Sequence, residues 1–214
     1  MLAAYFNMTG IAEWCAFIAS IFLLKKRTGI WRLFILFLLF TIIVETIGWH
    51  AHFYLQKNNN WIFNILLLVA LPFLIWIFAK EPMAKTKTKL YGIATLFIIA
   101  SLIDMFFLEG FVNYAAYCEV SEDILLAAVA CFFLYNILTE EVFRDLFQYE
   151  YFWLANGLLF YSLGNIVLYS FLNGLRDFYQ ATCINIYSEI NGGLNILFYG
   201  SLTIAFLCRN RATK

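Results

Sequence analysis

Seven apolar segments, separated by joints too short to be domains, recur along this 214-residue chain and constrain its fold more than any other feature. They lie near residues 5–24, 31–55, 61–79, 90–109, 115–138, 151–172 and 183–208. At a helical rise of about 1.5 Å per residue, roughly 20 residues match a hydrocarbon core about 30 Å thick. Backbone amides and carbonyls find no water partner in lipid, so a spanning segment is either a helix or a strand of a closed barrel. Apolar and polar residues do not alternate with period two in these segments, which leaves helices. The expected fold is all-α: a polytopic membrane protein, one seven-helix transmembrane domain over residues 1–214, with no soluble domain. A soluble alternative fails on composition, because 64% of residues are hydrophobic and only 13% charged. A globule of this size could not hide so much apolar surface from water.

The joints fix an orientation. One set carries Lys25, Lys26, Arg27, Arg32, Lys80, Lys85, Lys87, Lys89, Arg144, Arg209, Arg211 and Lys214; the other carries only Lys57 and Arg176. Basic residues stay on the cytoplasmic side, so the N-terminus is expected outside and the C-terminus inside. The first segment has no basic stretch ahead of it and ends in Lys25-Lys26-Arg27, the pattern of a retained anchor rather than a cleaved signal. The expected location is a bacterial inner membrane, crossed several times.

Ionisable side chains inside spanning helices are costly and invite functional readings. Glu13, Asp104, Glu109, Glu119, Glu122 and Glu189 all fall in the outer half of their segments, and Glu45 near the middle of the second. Conventional bundling would gather them into an acidic cavity open to the outside. In the seventh segment Asn185, Ser188, Glu189, Gly192 and Asn195 follow helical spacing and form one polar stripe. That stripe either hydrogen-bonds between helices or lines the cavity. The candidate ligand or proton contacts are Glu13, Glu45, His52, Asp104, Glu189, Asn185 and Asn195.

Glu45, Trp49 and His52 share a face of the second segment, whereas His50 points about 200° away from His52 on an ideal helix. Glu45 and His52 lie about 10.5 Å apart along the axis, too far to share a metal. No metal site and no cofactor is expected. Five cysteines do not make a disulfide framework; Cys118 and Cys183, both near outer helix ends, are the one candidate pair. In the sixth segment Gly157, Tyr161 and Gly164 share a face that allows close backbone approach. The cytoplasmic joint Thr139–Glu150 is acidic, and Val142, Phe143, Leu146 and Phe147 fall on one helical face, so a short interfacial helix is expected there. Glu140, Glu141, Phe143, Asp145 and Phe147 are its candidate partner-docking residues.

There is no phosphate-binding glycine loop, no nucleophile elbow and no His-Glu-x-x-His helix. Two histidines cannot supply a three-histidine hydrolase centre, and the seventh segment has no lysine for a Schiff base. The basic residues are explained by topology and anionic lipid rather than by nucleic acid. No catalytic residue is assigned.

Four stretches carry a resemblance: Ile42-Ile43-Val-Glu45-Thr-Ile-Gly48, Asn60-Trp61-Ile-Phe-Asn64, Tyr151-Phe-Trp153-Leu-Ala-Asn-Gly157-Leu-Leu-Phe-Tyr161, and the ending from Asn195 through Cys208 and Arg209. Together they resemble small seven-helix proteins of Bacteroidetes-type bacteria, which look like the membrane sensor halves of histidine kinases. The resemblance implies signal transduction through a separately encoded partner, since no kinase sequence follows to Lys214. Three functions follow as expectations. The first is a receptor-like sensor or accessory subunit with an outward acidic cavity, working beside a histidine kinase or another membrane-complex subunit. The second is a structural or assembly subunit of a larger membrane complex. The third is a membrane-embedded enzyme or proton-coupled transporter using Glu45, Asp104 and Glu189.

Overall fold

A computed structural model describes residues 8–24, 29–53, 58–80, 83–108, 110–113, 115–139 and 145–211. Eight α-helices carry the fold: α1 Met8–Leu24, α2 Leu33–Phe53, α3 Asn60–Lys80, α4 Lys87–Ile103, α5 Ala116–Thr139, α6 Glu150–Ser170, α7 Leu172–Thr182 and α8 Ile186–Arg211. Among the described residues there is no strand. Among the described residues, six helices are long and apolar enough to cross a membrane: Ile30–His52, Asn60–Lys80, Ala84–Leu108, Tyr117–Thr139, Glu150–Ser170 and Ile186–Arg209. This is the fold of a multi-pass helical membrane protein. The first apolar helix, α1, has 17 described residues and is about 25 Å long at the helical rise.

Large apolar side chains stand exposed along these helices, Phe22 at 80% and Phe107 at 81% among them. Such exposure is costly in water and ordinary in lipid, where acyl chains are as apolar as the side chains they touch. Packing between the helices therefore depends on close fit and on polar contacts rather than on burial of apolar area.

The chain divides into two compact units, Met1–Ile35 with Ala127–Lys214, and Leu36–Leu126. In the first unit α6 and α8 run antiparallel in a steady register: Glu150 meets Arg209, Gly157 meets Ser201, and Gly164 meets Leu194. A β-carbon on Gly157 would lie 2.5 Å from Ser201 Cβ, and one on Gly164 would collide with the Leu194 side chain. Glycine at both positions is what lets the two backbones approach, as the sequence spacing implies. Tyr161, on the same face, packs its ring against Phe198 at 5.2 Å. Helix α1 runs parallel to α8, with Thr9 beside Gly192 and Glu13 beside Tyr199.

In the second unit α2 and α3 pack through Val44, Ala51 and Ile62, with Phe40, Phe63 and Leu66 around them. Phe37 and Phe73 stack at 4.4 Å. Gly48 lies so close to Phe63 that a β-carbon there would sit 2.9 Å from the ring. The turn between α4 and α5 is tied to α3 by Asn64, which is 2% exposed. Its Nδ2 donates to the carbonyls of Phe111 and Asn113 at 3.0 and 2.8 Å, and its Oδ1 accepts from the Ala115 amide at 3.4 Å. Asn58 Nδ2 adds a bond to the Val112 carbonyl at 2.8 Å.

Three local features differ from the sequence expectation. The polar joint expected over Asn173–Thr182 is helical: α7 is an amphipathic helix joined to α6 through the single residue Phe171. Its 11 residues alternate apolar and polar sides at helical spacing, a pattern too short and too polar to register as a span. Helix α4 does not run regularly to residue 109, because Asp104–Leu108 forms a turn of π-helix. In the joint over residues 139–150, Leu146–Gln148 is a 3-10 turn rather than α-helix, and Val142 lies outside the described residues. Glu140, Glu141 and Phe143 lie outside the described residues, as does Glu109.

Candidate functional site

Helix α8 carries the polar contacts of the first unit, and it carries them at both ends of the α6–α8 packing. Apolar residues hold its outer surface toward lipid, while Gly192, Asn195 and Tyr199 recur at i, i+3 and i+7 and so fall on one face. That face meets α1. Gly192 leaves room for Thr9, and the Tyr199 hydroxyl donates to Glu13 Oε1 at 3.1 Å. Glu13 is 4% exposed and Tyr199 6%, so the carboxylate is held inside the protein by a phenol from a helix 186 residues away in sequence. Burying a carboxylate without a hydrogen bond is strongly disfavoured, which makes Tyr199 a determinant of how α1 packs. One turn above, the Asn195 amide donates to the carbonyl and side chain of Asn191 at 2.9 and 3.2 Å.

The sequence stripe is thus divided by the fold. Asn195 and Gly192 are buried, whereas Asn185, Ser188 and Glu189 are exposed at the start of α8. Asn185 accepts from the Ser188 amide at 3.1 Å, capping the helix, and Glu189 stands in the first turn, where a negative charge suits the helix dipole. Of the buried part, Asn195 bonds within α8 to Asn191; the interhelical hydrogen bond on this face comes from Tyr199, outside the stripe, a residue that composition gives no reason to single out among 13 tyrosines.

At the other end of α8, Arg209 donates to Glu150 Oε1 at 2.7 Å. Glu150 opens α6 and its side chain is 6% exposed, against 23% for Arg209. The guanidinium also lies 5.9 Å from the Trp31 ring centroid, a cation–π geometry. Trp31, Phe34, Tyr151 and Phe206 pack around it, with Trp31 5.2 Å from Phe34 and 5.1 Å from Tyr151. The joint ahead of α6 is tied to this end. Trp153 Nε1 and Cys208 Sγ both donate to the Phe147 carbonyl, at 2.9 and 3.4 Å. Asp145 caps the 3-10 turn by accepting from the Phe147 amide and from Gln148 Nε2. The Phe147 side chain itself is 70% exposed. Sequence alone assigns Arg209 and Glu150 separately, as loop charges; their pairing needs the antiparallel register of α6 and α8.

In the second unit the candidate residues are distributed. Asp104, in the π-helical turn, is buried and accepts from Cys118 Sγ at 3.2 Å. Cys118 thus lies beside a carboxylate of its own unit, while Cys183 sits exposed in a left-handed conformation at the end of α7; both are free thiols in this structure. Glu122 and Asp123 are buried on α5. Glu45 is half-buried on α2, and His50 and His52 are exposed near its end. Among the described residues no three His, Cys, Asp or Glu side chains come together in a metal-binding arrangement. No family model, curated protein or solved structure matches the chain.

Proposed function

We propose that this chain is a receptor-like sensor, or the accessory membrane subunit of one, in a bacterial inner membrane, passing its state to a separate cytoplasmic-side partner such as a histidine kinase. The observation that carries the reading is that one helix, α8, holds a buried carboxylate–phenol contact to α1 at Tyr199 and an ion pair to α6 at Arg209. Those contacts are ten residues apart, about 15 Å along the axis. A change that breaks the Glu13–Tyr199 bond alters how α8 packs on α1, and a rigid helix carries that change to the end where Arg209 and Glu150 hold the cytoplasmic joint. A stimulus moves such an equilibrium only through different affinity for the two packings. A ligand or cation that competes for the Glu13 carboxylate has that difference built in.

In this reading the N-terminus is outside, the C-terminus inside, and α1 supplies the seventh crossing. The distribution of Lys and Arg supports the orientation. The parallel course of α1 and α8 supports an odd number of crossings, because the two helices then traverse the bilayer in the same sense. Phe147 and the acidic residues around it form the partner-docking side.

Affinity purification in mild detergent from the native host, followed by mass spectrometry, tests the reading. Stoichiometric recovery of a histidine kinase or response regulator is the expected result, in an amount that changes with Glu13→Gln. Recovery of a large transport or envelope machine would make the chain an assembly subunit instead. Recovery of the chain alone would overturn both, in favour of an enzyme or transporter.

A further inference from the structure

Helix α7 is amphipathic, and among the described residues its apolar side stands exposed. Projected at about 100° per residue, Leu172, Leu175, Phe178, Tyr179 and Thr182 fall within one arc, and Arg176, Asp177 and Gln180 within the opposite one. Leu172 is 38% exposed, Phe178 40% and Tyr179 50%. At 11 residues the helix is about 16 Å long, too short to cross a bilayer.

We infer that α7 lies in the membrane interface, with its apolar side against the acyl–headgroup boundary of the leaflet it borders. Two observations select lipid over a protein occupant. First, α7 is tied to the membrane boundary at both ends. The single residue Phe171 separates it from α6, and Cys183–Asn185 separate it from α8, so neither end can depart far from a spanning helix. Second, the spanning helices on either side of it carry exposed apolar residues of their own. On the α6 side these are Phe160, Val167 and Phe171 at 57–66% exposure, and on α8 Ile190 at 44%. Arg176 and Asp177 cancel in charge, so apolar contact rather than attraction to anionic lipid holds the helix down, with Arg176 at the edge of the apolar arc able to reach the headgroups. The inference rests on the membrane-spanning fold and is independent of the sensor reading.

The test is depth-dependent quenching in phosphatidylcholine proteoliposomes. A fluorophore is attached at Phe178→Cys, Tyr179→Cys, Asp177→Cys or Gln180→Cys, in a protein whose exposed Cys15, Cys131 and Cys183 are replaced by Ser. Nitroxide on the lipid near the headgroup should quench the first two positions severalfold more than the last two, and nitroxide deep in the acyl chain should quench none of them strongly. Equal quenching of all four by aqueous iodide would overturn the inference. Protection of Phe178→Cys from both lipid and aqueous quenchers would overturn it too, assigning the face to a second copy or a protein partner. Val167→Cys on α6 is the control. If it also escapes lipid quenching, the spanning fold fails rather than the placement of α7.

Discussion

The two compact units differ in the polar contacts that join their elements, although the second also pairs Asp104 with Cys118 and the first also bonds Trp153 to the Phe147 carbonyl. In the unit built from α1, α6 and α8, charged side chains reach across to other side chains: Glu13 to Tyr199 and Arg209 to Glu150. In the unit spanning Leu36–Leu126, amides reach to backbone. Asn64 holds the carbonyls of Phe111 and Asn113 and the Ala115 amide, Asn58 holds Val112, and Asn59 donates to the Gly48 carbonyl at 3.1 Å. An amide bonded to backbone has one satisfied arrangement and does not titrate, so it acts as a staple. A carboxylate bonded to a phenol or a guanidinium has an alternative partner in a proton, a cation or a ligand, so it can act as a switch. The comparison assigns stability to the second unit's amides and responsiveness to the first unit's carboxylates.

Substitutions that remove each kind of contact separate the two roles. The largest loss is expected for Asn64→Ala, which removes the buried amide that holds two carbonyls and an N–H of a partly exposed turn and should cost about 2–4 kcal/mol, summing three hydrogen bonds; thermal unfolding in detergent reads it. Gly157→Val comes next, at about 1–3 kcal/mol of overpacking against Ser201. Gly200→Val is its control, since nothing lies within 4 Å of a β-carbon there, and it should leave the melting temperature unchanged. Arg209→Met leaves Glu150 buried without its cation and should cost about 1–2 kcal/mol, reduced from the fully buried case by the partial exposure of Arg209. Tyr199→Phe removes one hydroxyl and should cost only about 1 kcal/mol. If Tyr199→Phe proves as destabilising as Asn64→Ala, the distinction between staple and switch collapses.

Much of the helical architecture is legible in the sequence, because an apolar stretch of spanning length in lipid has only one backbone solution. The segments near 61–79, 115–138 and 151–172 become Asn60–Lys80, Ala116–Thr139 and Glu150–Ser170. What escapes is whatever depends on partners. The period of α7 is visible in Leu172, Leu175, Phe178 and Tyr179, but Gly174, Arg176 and Asp177 make the stretch look like a loop. The π-helical turn at Asp104 leaves no trace in composition. Glu13 stands out as a carboxylate in apolar text, yet nothing in sequence says that a tyrosine 186 residues later completes it. Asn64 stands in the second turn of α3 and reads as an ordinary interfacial residue until the α4–α5 turn is placed beside it. A polar residue's cost is local, whereas its compensation is a tertiary contact.

The central claim is that the Glu13–Tyr199 contact and the Arg209–Glu150 end of α8 are coupled. Pulsed electron-spin measurements between labels at Phe147 and Leu207, both exposed, test it most directly in nanodiscs. The account predicts that Glu13→Gln shifts or broadens the distance distribution relative to the unsubstituted protein, while Asn64→Gln, in the other unit, leaves it unchanged. An identical distribution in the Glu13→Gln variant would contradict the coupling and, with it, the sensing role of α8.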